Sequence, residues 1–167
     1  YIKKINSDLD ESIISQLTNS VLTYSDLITN RKTDYKFDLE KFTNVNGKTG
    51  IYVQYSQVRA KKLLENIASK HSELNDLILN DVDKELLSKL YLFSYFLEQA
   101  AVLNEPHHLA NYLYEISNLF NQFYESEKIL EIDELDRLSS KMYITNLFLT
   151  TSQNVMWCLG ITPVNQM

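Results

Sequence analysis

The sequence contains few of the residues that interrupt helices. Only three glycines and two prolines occur among its 167 residues, and both residue types fit poorly inside a helix. Their scarcity predicts long helices joined by few turns. No segment alternates for long between apolar and polar residues, as a half-buried strand would. The sequence therefore predicts an all-α fold, a bundle of about five helices.

Other scarce features exclude several classes of protein. A single cysteine, Cys158, excludes an internal disulfide and fits a reducing compartment. Its place beside Trp157, near a helix end, predicts a buried structural thiol rather than a nucleophile. No apolar run approaches the roughly 18 residues of a membrane span, and no secretory signal is visible. We therefore expect a cytoplasmic protein that does not enter a membrane.

The histidines do not form a metal-binding pattern. His107 and His108 are adjacent, and neighbours on a helix point about 100° apart, while His71 is distant in the chain. Neither a Cys-x-x-Cys nor a His-Glu-x-x-His motif is present. No set of residues resembles an active site. The sequence thus predicts a non-catalytic chain without a metal site or a cofactor site of its own.

One short loop concentrates the glycines. Gly47 and Gly50 lie within four residues, as expected where the backbone turns tightly, and helical periodicity begins directly after Gly50. No Lys-Ser or Lys-Thr follows the second glycine, so the loop is not a phosphate-cradling P-loop. Two interpretations stay open here: an ordinary loop before a helix, or a loop that contacts a ligand.

The charge is unevenly distributed. The formal net charge is −6, yet residues 31–62 contain eight Lys or Arg against three Asp or Glu. A basic segment on an acidic body can face phosphate locally. The alternative is that these side chains are only solvated. The neighbouring glycine loop favours the first interpretation.

Periodicity and capping residues predict the order of elements. The predicted helical segments are 12–30, a single turn near 38–42, 50–70, a short one within 71–80, 81–103, 106–125, and a last helix that follows a loop near 129–133. We expect Asp81 or Asp83 to cap the long helix, Pro106 to occupy a first helical position, and Gly160 to follow the last helix. The predicted inward-facing residues of the last two helices are Leu109, Tyr112, Leu113, Ile116, Phe120, Phe123, Leu135, Leu138, Met142, Leu149, Met156 and Leu159.

Several motifs occur in a fixed order along the chain. They are Tyr24-Ser-Asp-Leu27, Asn30-Arg-Lys-Thr-Asp-Tyr-Lys-Phe-Asp-Leu39, Gly47-Lys-Thr-Gly-Ile-Tyr-Val-Gln-Tyr55 with Arg59, Pro106-His-His-Leu-Ala-Asn-Tyr-Leu-Tyr-Glu115, Phe120-Asn-Gln-Phe-Tyr-Glu125 with Ile129-Leu130, and Arg137-Leu138, Leu159-Gly-Ile161 and Met167. In this order they resemble the C-terminal domain of class I arginyl-tRNA synthetases. The family's Asp-Ala-Leu-Arg tetrapeptide is absent.

The resemblance implies an anticodon-binding helical bundle over residues 12–167, preceded by a linker over 1–11 from a catalytic domain of the same chain. The sequence begins without methionine, so we expect a piece of a longer protein. That parent would be a monomeric arginine–tRNA ligase that uses ATP and Mg²⁺. This piece has neither a His-Ile-Gly-His signature nor a Lys-Met-Ser-Lys-Ser loop, so it would bind the anticodon loop of tRNA(Arg) without performing chemistry.

The resemblance also implies where the RNA binds. Near the anticodon loop the family places the loop matching residues 44–49, the ring matching Tyr124 and the residue matching Met167. The predicted tRNA-binding residues are Asn46, Gly47, Lys48, Thr49, Arg59, Lys61, Lys62, Tyr124 and Met167. Our hypothesis is that Tyr124 and Met167 sandwich one unstacked base, with the backbone of residues 46–49 closing the other side.

Two other classes of function stay open at this stage. A helical protein-interaction domain would carry an exposed apolar groove instead of a basic loop. A non-catalytic paralogue module would bind a different RNA.

Overall fold

The computed structural model describes residues 9–36, 38–68 and 76–167. Two predicted segments lie partly outside these ranges. They are the linker, of which residues 1–8 are outside, and the short helix within residues 71–80, of which residues 71–75 with His71 are outside. Residues 77–80, which are described, are not helical, whereas Glu11 already belongs to the first helix.

All the regular secondary structure in these ranges is helical, which confirms the all-α class. In chain order the elements are α1 (Glu11–Leu27), α2 (Leu39–Phe42), α3 (Gly50–Ile67), α4 (Asp81–Leu90), α5 (Phe93–Leu103), α6 (His107–Glu125), a 3₁₀ turn (Ile129–Glu131) and α7 (Leu135–Cys158). Six of these helices have ten residues or more. None of the described helices combines the length and apolar character that a membrane span requires.

The long helix predicted over residues 81–103 is wrong, because the chain forms two helices there. Leu92, between α4 and α5, has φ −84° and ψ 6°, outside the helical region. The hydroxyl of Tyr112 on α6 donates to the carbonyls of Lys89 and Leu90, at 3.2 and 3.1 Å. A tyrosine distant in sequence thus satisfies carbonyls at the end of α4. The apolar pattern of the segment does not reveal this partner.

The start of α4 also differs from the prediction. Asn80, rather than Asp81 or Asp83, is the N-cap, and its side chain accepts a hydrogen bond from the Asp83 N–H. The Asp83 carboxylate accepts one from the Asn80 N–H in return, which completes a capping box.

Helix α6 is the centre of the bundle, since it packs against all five other long helices. Tyr112, Phe120 and Phe123 are fully buried, as predicted. The ring of Phe120 stacks on that of Phe148 from α7, with centroids 4.1 Å apart and planes 5° apart. Burying each such phenylalanine contributes about 1.5–3 kcal/mol to the free energy of unfolding. The core therefore joins α6 to α7 beneath the surface that α3 and α6 share.

The end of α7 is partly as predicted. Gly160 has φ +72°, and the N–H groups of Gly160 and Ile161 bond to the carbonyls of Trp157 and Met156, a Schellman arrangement. Cys158, however, is exposed, so the prediction of a buried thiol is wrong. The last turn directs Met156 and Leu159 inward, which leaves the two positions between them facing solvent.

One apolar position at the start of α7 was also assigned wrongly. Leu135 is the first residue of the helix and is 57% exposed, whereas Leu138, one turn later, is buried. The buried positions of α7 begin at Arg137, so extending the apolar periodicity back to the first residue of the helix misplaces Leu135.

Candidate nucleic-acid interface

Helices α3 and α6 lie side by side and run in the same direction. Four polar contacts join residues that are 62–66 positions apart, from Lys48–Asn111 through Tyr52–Asn118 and Ser56–Asn121 to Arg59–Asn121. A nearly constant separation in sequence is what two parallel helices produce. Their shared surface carries most of the predicted RNA-binding residues.

The glycine loop starts this surface. Gly47 has φ +88°, a backbone conformation that favours glycine. Gly50 is needed for a different reason: a Cβ placed there would lie 2.5 Å from the carbonyl oxygen of Ser20 on α1. Thr49 is the N-cap of α3, and its hydroxyl accepts a hydrogen bond from the Tyr52 N–H. The loop therefore fixes both the start of α3 and its close approach to α1.

Lys48 stands at the exposed tip of this loop. Its ammonium lies 2.8 Å from Oδ1 of Asn111 and 5.4 Å from the centre of the Tyr114 ring. Both partners are uncharged, so the positive charge of Lys48 is not neutralised by them and can meet a phosphate. Asn46 and Gly47 are exposed beside it, whereas Thr49 is buried.

At the other end of the surface, two tyrosine rings flank Arg59. Its guanidinium carbon lies 4.7 Å from the centroid of Tyr55 and 4.8 Å from that of Tyr124, within the range of cation–π attraction. Its nitrogens donate to the Tyr55 hydroxyl at 2.9 Å and to Asn121 at 2.8 Å, and Glu125 lies 3.5 Å away. These contacts hold the two aromatic faces and the cation in one array.

The array opens into a cleft of about 280 Å³. The cleft brings together four of the predicted residues, namely Arg59, Lys62, Tyr124 and Met167. Its remaining lining residues are Tyr55, Val58, Leu63, Asn66 and Leu130. Of these, Tyr55 carried a signal in the sequence, because it precedes Arg59 by four residues and shares its helix face. Leu130 belongs to one of the motifs of the resemblance, but its place in the cleft could not be predicted, since it depends on how the segment after α6 folds back.

A second cleft, of about 300 Å³, adjoins the first and shares Tyr124, Leu63 and Leu130 with it. Its wall is the segment after α6, including Ile129, and it carries the carboxylates of Glu125, Glu127 and Glu131 and the ammonium of Lys128, which pairs with Glu131 at 3.1 Å. Tyr124 and Leu130 therefore lie between a basic cleft and an acidic one.

The structure separates the other predicted residues from this cleft. The loop at residues 46–49 lies at the beginning of α3, roughly 15 Å along the helix from Arg59 at 1.5 Å per residue. Its backbone therefore does not close the cleft opposite Tyr124, and that part of the hypothesis is wrong. Lys61 does not line the cleft either: its ammonium donates to Oδ1 of Asn165 at 2.8 Å.

A buried ionic cluster lies behind the wall of the second cleft. Asp83 and Lys141 are fully buried and 2.7 Å apart, and Arg137 bonds to both Asp83 and Glu127. Burial alone would raise the pKa of Asp83, but hydrogen bonds from Lys141, the Asn80 N–H and Arg137 outweigh it and lower that pKa. Burial likewise raises the pKa of Glu127, but Arg137 and Lys141 together lower it by more. Two cations therefore hold two carboxylates charged, and tie the segment after α6 to α4 and α7.

The side chains of His107 and His108 lie closer to each other and to Glu105 than the adjacency of the two histidines in sequence predicted. Ligand atoms of Glu105, His107 and His108 lie within 4.8 Å of one another, although neighbouring helix residues usually diverge. The Lys32 ammonium lies 3.0 Å from the Glu105 carboxylate and would repel a metal cation there. The cluster is an ion pair that joins the segment after α1 to the start of α6.

Comparison with known proteins places this arrangement in a family. The sequence model of the DALR anticodon binding domain matches residues 53–167. An arginine–tRNA ligase of Alkaliphilus oremlandii is 31% identical over 169 residues, which cover 97% of this chain and 29% of that protein. An arginine–tRNA ligase of Francisella tularensis subsp. novicida is 35% identical over 133 residues, which cover 75% of this chain and 23% of that protein. The chain thus spans less than a third of the length of these relatives.

Solved structures show the same fold. Arginyl-tRNA synthetase of Thermus thermophilus superposes with a TM-score of 0.86 at 21% identity, over 99% of this chain and 29% of that one. The arginyl-tRNA synthetase of Plasmodium falciparum superposes with a TM-score of 0.80 at 24% identity, over 99% of this chain and 30% of that one. The match of the family model over more than two thirds of the sequence shows the relationship: the chain belongs to the DALR anticodon binding domain family.

Proposed function

We propose that this chain is the anticodon-binding module of an arginine–tRNA ligase and that it binds the anticodon loop of tRNA(Arg). The observation that carries the proposal is the array in which Arg59 lies between Tyr55 and Tyr124, at a cleft also lined by Lys62 and Met167. Proteins that read RNA sequence bind unpaired loop bases, which stack on aromatic rings and on arginine. The cleft offers both.

The array limits how a base enters. Arg59 lies over the Tyr124 ring, so a base that stacks on Tyr124 either uses the ring surface that Arg59 leaves free or replaces the guanidinium. Met167 lines the same cleft, and its flexible thioether can follow the shape of a base. Base and side chains together would form a stack that tolerates several base types.

The charges around the two clefts orient the RNA. Arg59 and Lys62 line the first cleft, and basic side chains of this kind supply the salt-dependent attraction to phosphate. Glu125, Glu127 and Glu131 line the second together with Lys128. Each carboxylate already pairs with a cation, so this cleft attracts phosphate less than the first does, while its carboxylate oxygens can accept a hydrogen bond from a base amino group. We therefore infer that the backbone passes along the basic cleft, with Lys48 as a further phosphate contact near the other end of α3.

Aminoacylation itself would lie elsewhere in the longer protein. The 167 residues contain neither of the family's two nucleotide-handling signatures, so the ATP and Mg²⁺ of arginine activation would belong to the catalytic domain of the same polypeptide. We propose that this whole protein is a cytoplasmic, monomeric enzyme. The purified chain should then form no arginyl-adenylate and support no ATP–pyrophosphate exchange.

Protein docking is a second candidate function with one observation in its favour. Helix α5 has no buried residue, and large apolar side chains are exposed along it and just before it, at Tyr91, Leu92, Tyr95, Val102 and Leu103. Exposed apolar surface of this kind is typical of protein contacts. This surface lies on different residues from the Arg59 cleft, so both functions are compatible.

Mapping the amide resonances of the chain against two RNAs tests anticodon binding. One RNA is a 17-nucleotide anticodon stem–loop of tRNA(Arg), and the other has the same stem with a scrambled loop. The proposal predicts shifts at Tyr55, Lys62 and Tyr124 that are stronger with the first RNA. Equal shifts with both RNAs, or shifts confined to α5, would reject anticodon binding.

A further inference from the structure

The segment after α7 is held by one buried side chain. Gln54 of α3 is fully buried. Its Nε2 donates to the carbonyl of Thr162 at 2.7 Å and to the Ser20 hydroxyl at 2.8 Å, and its Oε1 accepts from the Val164 N–H at 3.0 Å. The single amide therefore satisfies a donor and an acceptor of the non-helical tail, and links both to α1.

Two further contacts fix the direction of the tail. The side chain of Val164 is fully buried in a small apolar cluster with Val21, Ile51 and Val58, against which Met167 packs. Beyond it, the Asn165 side chain accepts the hydrogen bond from Lys61. Gln54 and Lys61 are two helical turns apart on α3, so they lie nearly above one another. The tail therefore follows α3 from Gln54 toward the cleft, where Met167 is one of the lining residues.

We propose that Gln54 is a positioning residue for RNA binding, which sets the place of Met167 in the cleft through the tail, and that Lys61 serves the same purpose. Gln54 does not line the cleft, so it would act without touching the RNA. A buried amide suits this task because leaving its partners unpaired is costly, so the tail has one favoured path. The effect on RNA rests on the proposed function, whereas the effect on Met167 does not.

Methionine methyl NMR tests the placement directly. The chain has three methionines, so labelling their ¹³C-methyl groups gives three signals, of which that of Met167 reports on the tail. In Gln54→Leu the Met167 signal should narrow and move to the position of a free side chain, while those of Met142 and Met156 stay. An unmoved Met167 signal in the folded variant overturns the proposal.

The matched control is Gln57→Leu. Gln57 lies one turn further along α3 and is 1% exposed, and its side-chain oxygen has no hydrogen-bond partner among the described residues. A general effect of removing a buried amide would appear in both variants. Release of Met167 in Gln54→Leu alone supports the proposal, and equal release in both overturns it.

Two measurements keep the test valid if Gln54→Leu does not fold. In the unchanged protein, the Val164 amide should exchange with solvent much more slowly than the Gln166 amide, and equal rates overturn the proposal. Lys61→Leu, a change at a partly exposed position that adds no methionine, should shift the Met167 signal part of the way. No shift there rejects the role of Lys61.

RNA affinity then separates the placement from the proposed function. Gln54→Leu should weaken binding of the tRNA(Arg) anticodon stem–loop by the same factor as Met167→Ala, and the double variant should be no weaker, because both changes remove one contact. If Gln54→Leu frees Met167 while neither variant alters RNA affinity, the placement stands and the contribution of Met167 to RNA binding is rejected.

Discussion

The guanidinium carbon of Arg59 lies 4.8 Å from the centre of the Tyr124 ring. The two residues come from parallel helices, Arg59 from α3 and Tyr124 from α6, so their contact depends on how those helices pack. It gives Tyr124 a fixed, partly exposed position at the boundary of the two clefts. The proposed base-binding site is therefore set by the bundle itself rather than by a flexible loop.

Tyr124→Ala should weaken binding of tRNA(Arg) by about 1–3 kcal/mol, the usual contribution of one base stack. The melting temperature should change little, because Tyr124 is only partly buried. Filter binding and thermal unfolding measure the two quantities. Tyr95→Ala, which removes a 54% exposed tyrosine ring on α5, should leave RNA affinity unchanged. If Tyr124→Ala unfolds the chain while folded molecules keep their affinity, the ring belongs to the core.

Lys62 and Lys61 should behave differently in salt titrations, although they are adjacent. Lys62 is exposed in the basic cleft, so Lys62→Ala should weaken all tRNAs similarly and reduce the slope of log affinity against log salt by about one unit. Lys61 is bonded to the tail, so Lys61→Ala should change the slope less. Equal slopes for Lys62→Ala and the unchanged chain would mean that Lys62 does not contact phosphate.

The buried ionic cluster should govern stability in acid. The pKa values of Asp83 and Glu127 are lowered in the folded chain, so their contribution is present above the unfolded-state values of roughly 4. It is lost as the pH falls through the folded values. Urea unfolding at pH 7 and at pH 3 should therefore show a marked loss of stability at the lower pH.

Asp83→Asn tests the origin of that loss. Removing one member of a buried pair leaves Lys141 with Glu127, 3.3 Å away, as its remaining acidic partner among the described residues, and should cost about 3–5 kcal/mol at pH 7, while reducing the further loss in acid. Asp81→Asn is the control, because Asp81 is exposed and pairs with exposed Lys84 at 3.4 Å. An equally steep acid loss in Asp83→Asn would place its origin outside this cluster.

Gly50→Ala should destabilise the chain by about 1–3 kcal/mol, as overpacking does. The added Cβ would lie 2.5 Å from the Ser20 carbonyl oxygen, so α1 and α3 must separate. Gly160→Ala is a useful comparison, because its Cβ meets nothing within 4 Å and only its φ of +72° is unfavourable. Thermal unfolding should show a loss for both, with displaced Ser20 and Gln54 amide resonances only in Gly50→Ala. Unchanged resonances there would contradict the close approach.

Much of this architecture could be predicted from local pattern. Helical periodicity located α1, α3, α6 and α7, and Gly160 marked the end of the last helix because a positive φ there favours glycine. The break between α4 and α5 could not be predicted, because the hydroxyl that bonds to the carbonyls at Lys89 and Leu90 belongs to Tyr112, more than twenty residues away.

The candidate site likewise contains residues that local sequence pattern could predict and residues that it could not. Tyr124 could be found because it lies beside the buried stripe of its own helix. The role of Lys61 could not, since its partner Asn165 is 104 residues distant in sequence. The same holds for the separation of the glycine loop from the cleft, which follows from the parallel packing of α3 and α6. Contacts between segments that are distant in sequence cannot be predicted from the hydrophobic periodicity of either segment.

The most direct test of the proposed function is a salt-titrated comparison of two tRNAs. The chain and its Tyr124→Ala variant are each titrated with tRNA(Arg) and with a tRNA of another anticodon. We predict that the unchanged chain prefers tRNA(Arg) at every salt concentration, and that Tyr124→Ala loses much of this preference while keeping a similar salt slope. Equal affinity of the unchanged chain for both tRNAs throughout the titration would contradict anticodon recognition by this bundle.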